Sequence, residues 1–259
     1  MRRSLAGARV LLTGSSSGIG RALALALAKH RCRLLLTARR RELLDALAAK
    51  IQAAGAEVVC FSGDITSADV RAGLIERAKQ SFGGLDILIN NAGVGAIGRF
   101  RDARPERLRE IFEVNFFALA EMTRAALPQL IAGRRPLVVN IGSILGHRGV
   151  PHSSEYCASK FAVQGFSESL RAELARDGIE LLVVSPGTTA TEFFDHAIES
   201  GKTPWPEQRG VPAEHVAAAT VAAMQAGRHE IIPNPRGKWL VRLNRLAPGL
   251  VDRLMQRWG

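Results

Sequence analysis

The chain carries one tyrosine, Tyr156, four residues before a lysine in Tyr156-Cys157-Ala158-Ser159-Lys160. On a helix, positions i and i+4 share a face. An ammonium beside a phenol favours the phenolate and draws a pKa of about 10 towards neutrality. Such a phenol serves as a general acid or base at cellular pH. The same spacing also occurs in ordinary helical pairs, so the motif needs support. Ser143 provides some, because it follows the apolar run 137–141, at the carboxyl end of an expected strand. Open α/β sheets bind their ligands at that end.

A second constellation lies near the start. The run 10–13 leads into Thr13-Gly14-Ser15-Ser16-Ser17-Gly18-Ile19-Gly20 and then into an apolar helical pattern. A strand, a glycine-rich turn and a helix N-terminus make an anion site, with free backbone N–H groups aimed at a pyrophosphate. Gly14 permits the turn, Gly18 close backbone approach and Gly20 tight helix packing. After the second strand, an acid would select a ribose 2′-hydroxyl. This chain has Thr37-Ala38-Arg39-Arg40-Arg41 instead. Arg39 and Arg40 suit a 2′-phosphate, which favours NADP(H), with NAD(H) the other candidate. Three arginines at a helix start oppose the dipole and want another reason to be there.

The elements that hold these residues alternate. Apolar runs at 10–13, 34–37, 58–61, 85–90, 137–141, 181–185 and 230–232 read as strands. Helical patterns fill 19–30, 41–54, 67–82, about 105–130, 154–176 and 212–225. The strands are unbroken Val/Ile/Leu runs, as in a parallel sheet covered on both faces. Repeated β-α-β units give a doubly wound α/β sheet of Rossmann type with helices on both faces. No linker, repeat or low-complexity tract divides the 259 residues, so one domain, 1–259, is expected. The stretch 187–210 shows no clear strand and reads as a lid.

Composition narrows the function. Hydrophobic residues are 47% and charged residues 23%, which excludes a disordered chain. Aromatics at 5% argue against a stacking surface for nucleic acid, and no reading motif is present, so no nucleic-acid partner is expected. No apolar run suits a transmembrane helix or a signal peptide. Cys32, Cys60 and Cys157 are widely spaced without CxxC and suit a reducing cytoplasm. His147 and His152 have no metal-ligand spacing, so no metal is expected. The net charge of +11 attracts anions. Part of it lies in the tail 234–259, where Arg236, Lys238, Arg242, Arg245, Arg253 and Arg257 face one acid, Asp252.

Taken in order, Thr13 to Gly20, Asp64, Asn90-Asn91-Ala92-Gly93, Asn115, Ser143, Tyr156 with Lys160, and Pro186-Gly187-Thr188-Thr189-Ala190-Thr191 resemble the short-chain dehydrogenase/reductase family. The resemblance runs from about Gly7 to Ile232. It implies an NAD(P)-dependent oxidoreductase that interconverts a secondary alcohol and a carbonyl. By resemblance, Tyr156 moves the proton, Ser143 bonds the substrate oxygen, and Lys160 holds the nicotinamide ribose and tunes Tyr156. Asn115 positions a lysine-bound water. Asp64, with Ile65 beside it, takes the adenine amino group. Asn91, Ala92 and Gly93 line the cofactor, and Pro186, Gly187, Thr188 and Thr191 reach the nicotinamide amide and the phosphate. NADP-preferring members often place a basic residue inside the glycine turn, where this chain has Ser16 and Ser17. A homodimer or homotetramer joined through the Tyr156 helix is implied.

Several readings stay open. A cofactor-binding sensor or scaffold would use the same fold without catalysis, although it would not need all four of Ser143, Tyr156, Lys160 and Asn115. In the lid, Phe193, Phe194, Ile198, Pro204 and Trp205 suit either an apolar substrate or packing on the domain body. Phe100 and His147 are further candidates for the pocket. The tail, broken at Pro248-Gly249 into two short amphipathic helices, suits packing against protein or an anionic membrane. It resembles the C-terminal extensions of hydroxysteroid-dehydrogenase-like members.

Overall fold

The computed structural model describes residues 2–195, 197–200 and 210–257. Pro204, Trp205 and Trp258 lie outside the described residues. Seven strands form one parallel sheet: β1 (Arg9–Thr13), β2 (Arg33–Ala38), β3 (Val58–Ser62), β4 (Ile87–Asn90), β6 (Leu137–Ile141), β7 (Glu180–Val184) and β11 (Glu230–Ile231). Their order is β11-β7-β6-β4-β1-β2-β3. The chain winds outwards from β1 to β3, then returns to the other side of β1 with β4. That reversal opens a crevice at the carboxyl ends of β1 and β4, where ligands bind in this architecture.

Apolar runs form the inner strands because each of them has two buried faces, while the edge strands β3 and β11 are only partly buried. In β2, Leu34 and Leu36 enter one core with α1 (Gly18–Ala28), α2 (Arg41–Ala53) and α7 (Ala213–Ala226). Leu35 between them enters the other core, with α3 (Ala68–Phe82), α5 (Ala118–Ile131) and α6 (Ser154–Leu174). All three leucines are fully buried, each worth about 1.5–3 kcal/mol over an exposed position.

The long helical stretch is not uniform. α4 (Arg107–Phe112) passes into a five-residue π-helical turn, Glu113–Phe117, before α5. The expectation that 187–210 holds no strand is corrected. Its described residues include β8 (Thr189–Ala190), paired with β10 (Val211–Pro212), and β9 (Ile198–Ser200), paired with β5 (Ala96–Ile97). Pairs of two or three residues form where loops meet, and such short segments carry no hydrophobic period. The tail forms α8 (Pro235–Leu246) and α9 (Pro248–Gln256), broken at Pro248 as its sequence suggests. Among the described residues, no helix is long and apolar enough to cross a membrane.

Candidate active site

The glycine turn folds around two close approaches. Gly14 adopts φ +65°, and a Cβ there would lie 2.7 Å from Ala92 Cα. A Cβ at Gly20 would lie 2.2 Å from the Gly14 carbonyl oxygen, so only glycine lets α1 start against the turn. Asn91 pins the turn by donating from Nδ2 to the Thr13 and Gly14 carbonyls, at 3.0 and 2.9 Å. Thr13 Oγ1 accepts from the Asn91 and Ala92 N–H groups, both at 3.0 Å. Asn90 continues the lock, donating to Asn140 Oδ1 and Thr123 Oγ1 at 2.9 Å each. This buried ladder ties β4 to β6 and α5, and thereby holds the turn against the sheet.

Ser17 precedes α1 without a side-chain cap bond, and the first turn of the helix carries no acid. The Ser17 hydroxyl instead accepts from Arg40 at 2.7 Å, and Ser16 accepts from the same guanidinium at 3.4 Å. Arg40 also lies 3.9 Å from Glu192. A cation therefore stands over the glycine turn although the turn contains none.

From Arg39 and Arg40 an elongated cleft of about 640 Å³ runs past the turn to Tyr156. Gly14, Ser16, Ser17, Gly18, Ile19 and Gly20 form its floor, with Asp64 and Ile65 on one wall and Asn91, Ala92 and Gly93 on another. Pro186, Gly187, Thr188 and Thr191 close it from the far side. Thr191 packs so near Gly18 that a Cβ there would lie 3.2 Å from its methyl group. Arginines at one end, a helix N-terminus in the middle and a phenol at the other end fit a nicotinamide dinucleotide, whose charge lies in its phosphates.

At the inner end, Tyr156 and Ser143 both line the cleft, and the Ser143 hydroxyl favours the phenolate. Ser143 Oγ also accepts from Leu145 N–H at 3.1 Å. Lys160 Nζ donates to the Ile141 carbonyl at 3.1 Å and stands 5.8 Å from the centre of the Tyr156 ring. Burial pulls the Lys160 pKa down to about 8. Burial also pushes the Tyr156 phenol above its ordinary value, against the lowering bond from Ser143. The lowering expected from Lys160 is thus corrected: desolvation dominates at the phenol, and the ammonium gives its hydrogen bond to Ile141 instead.

Two of the expected residues stand behind the cleft wall. Ser15 is buried, and its hydroxyl donates to the Thr37 carbonyl at 3.1 Å. Asn115 is also fully buried, in the π-helical turn. It accepts from Val94 N–H at 2.8 Å and donates to the Val94 carbonyl and Ser159 Oγ, both at 3.0 Å. A Cβ built on Gly93 would meet both Asn115 Oδ1 and Lys160 Nζ, at 3.1 and 3.7 Å, so all three surround one point.

Among the described residues of 187–210, Phe193 stacks edge-on to Tyr156, with ring centres 5.9 Å apart, and to Phe194 at 5.2 Å. Both phenylalanines line the cleft. Phe100 is exposed away from it, and His147 Nε2 is engaged by Ser185 Oγ at 3.0 Å and Glu230 at 3.3 Å. The pair Arg107–Glu155 had no sequence signal, because 48 positions separate its members. It is buried immediately beside Tyr156, with Arg107 Nε donating to Glu155 at 2.7 Å. Glu199 of β9 reaches the same arginine at 3.5 Å.

This fold and cleft define a class of dinucleotide-binding oxidoreductases, and the chain belongs to the short-chain dehydrogenase/reductase family. Residues 8–201 match the short chain dehydrogenase family model. The chain is 33% identical to dehydrogenase/reductase SDR family member 7B of Bos taurus, over 98% of this chain and 82% of that protein. It is 35% identical to the 3-oxoacyl-[acyl-carrier-protein] reductase FabG of Haemophilus influenzae, over 71% of this chain and 75% of that one. A short-chain dehydrogenase/reductase from Burkholderia phymatum, solved in complex with NAD, superposes with a TM-score of 0.87 at 26% identity, covering 96% of each chain. A short-chain dehydrogenase from Burkholderia cenocepacia in complex with NADP superposes at 0.78 with 28% identity, covering 89% of this chain and 97% of that one. The protein is an NAD(P)-dependent dehydrogenase/reductase.

Proposed function

We propose that this protein interconverts a carbonyl and a secondary alcohol on an apolar substrate, using NADP(H), within one catalytic domain, 1–259, whose lid is 187–210. The observation that carries the reading is the placing of buried Tyr156 and Ser143 together on the cleft, with Lys160 on the same helix face and the Phe193 ring against the phenol.

Bound at this end, a nicotinamide supplies or takes up a hydride. The protein's own groups do the rest. In reduction, Tyr156 Oη gives its proton to the carbonyl oxygen as that oxygen gains negative charge. Ser143 Oγ donates a second hydrogen bond to the same oxygen. A phenol whose pKa is raised by burial stays protonated at neutral pH and is ready to donate. Lys160, with a pKa of about 8, is charged at neutral pH and stabilises the phenolate left behind. Oxidation runs the same transfers backwards.

Arg40 supports NADP(H) over NAD(H). Its guanidinium on Ser16 and Ser17 supplies the cation that the glycine turn lacks. Ile144, Leu145, Phe193, Phe194 and Ala197 line the inner end of the cleft, which favours an apolar substrate. Asn115 orders Val94 and Ser159 around Lys160, in keeping with a positioning role. Self-association fits the exposed Phe117 of the π-helical turn and the exposed Phe161 of α6. The test is turnover of a carbonyl panel followed at the NADPH absorbance. Tyr156→Phe lowers kcat about 10²–10⁴-fold. Near-normal turnover by that variant ends the assignment.

A further inference from the structure

We propose that the outer face of the α8–α9 helix pair docks on an anionic lipid bilayer. Its inner face is already occupied. Gly237 packs so close to Ile144 that a Cβ would lie 2.8 Å from its methyl group. Val241 and Val251 are buried. Asn244 accepts from Arg148 at 3.2 Å and donates to the His147 carbonyl at 3.3 Å, and Asp252 pairs with Arg148 at 2.7 Å. These contacts fix which side of each helix faces outwards.

On that outward side stand Trp239, Leu243 and Leu246, at i, i+4 and i+7 of α8, followed by Leu250 and Leu254 of α9. Trp239 is 71% exposed and Leu246 86% exposed. Side chains this exposed stand proud of the surface, a shape that enters a soft apolar phase and offers no groove for a peptide. Lys238, Arg242 and Arg245 run directly alongside the α8 stripe, and Arg253 and Arg257 alongside the α9 stripe, all exposed. An apolar ridge bordered by cations matches the acyl–headgroup boundary of an anionic bilayer. A second copy of the chain is the poorer match, because a two-fold contact on this face would oppose like-charged borders. The only acid in the pair, Asp252, already faces Arg148. Docking would also bring the Ser143 end of the cleft close to the lipid, since α8 packs on the Ile144–Gly146 turn that follows Ser143.

The test is co-sedimentation of the full chain with phosphatidylcholine vesicles, with and without phosphatidylserine, at low and high salt. Binding is expected to need phosphatidylserine and to weaken as salt rises. Arg242→Gln and Arg245→Gln should each weaken it about five-fold. Trp239→Ser with Leu246→Ser should abolish it, while the thermal shift produced by NADPH stays as in the parent, which shows that the fold and cleft survive. Three results would each overturn the proposal. One is no binding to either vesicle. Another is binding that these substitutions leave unchanged. The third is a dimer, seen by sedimentation velocity, that the serine variants dissolve while vesicle binding is absent; the face would then join two copies.

Discussion

Replacing Lys160 with methionine should stabilise the protein while disabling it. Burial lowers the lysine from 10.5 in the unfolded chain to about 8 in the folded one. The depressed folded value means the native state resists the charged form. The penalty is therefore fully present below pH 8 and disappears as pH rises past 10.5. At pH 7 the amine is charged in both states, and the difference costs about 3 kcal/mol. At pH 9.5 the folded amine is mostly neutral and the cost falls to about 1 kcal/mol. Methionine has similar length and no charge to bury. The stability difference between parent and Lys160→Met should thus shrink by about 2 kcal/mol between pH 7 and 9.5. Urea unfolding of both proteins, without cofactor, at the two pH values measures it. Groups remote from Lys160 cancel in the difference, and Tyr156, raised by burial, stays protonated in the folded protein over this range. A difference that does not change with pH refutes the argument, because it would mean that the folded amine is as well solvated as the unfolded one. Low turnover of the more stable variant would show what the lysine is kept for.

Other outcomes follow from the same geometry. Arg40→Ala should weaken NADPH about 10–100-fold by titration, as expected for a lost charge-assisted bond, and leave NADH nearly unchanged; equal losses would remove the guanidinium from the 2′-phosphate. Gly20→Ala forces a methyl group against the Gly14 carbonyl and should cost about 1–3 kcal/mol or more, with loss of the thermal shift given by NADPH. Arg107→Met strands the buried Glu155 carboxylate and should cost about 3–5 kcal/mol by chemical unfolding, with part recovered when Glu155→Gln is added. Additive losses in that pair would show that the two side chains act independently.

Much of the fold was legible because the inner strands of the sheet bury both faces. Leu34-Leu35-Leu36 has no alternation to hide, and Leu11 and Leu12 likewise enter opposite cores. The glycine turn, Ser143, Tyr156 and Lys160 were legible because residue type and order both constrain them, and the structure gathers them around one cleft. Three things were not legible. The ionisation of Tyr156 depends on desolvation, which spacing does not reveal. The β5–β9 and β8–β10 pairs are too short to carry a period. The placements of Ser15 and Asn115, one step behind the surface, depend on the Thr37 carbonyl and the Val94 backbone, and distant backbone atoms leave no trace in residue type.

The π-helical turn at Glu113–Phe117 works as a spacer between two out-of-phase halves of one long rod. Upstream, Arg107 must meet Glu155; downstream, Thr123 must meet Asn90. Each residue of an α-helix advances about 100° around its axis, so losing one residue here would rotate one appointment away from the other. Chains that share both contacts must share the extra residue, and an alignment that drops a gap into this stretch marks a relative whose active site is assembled differently.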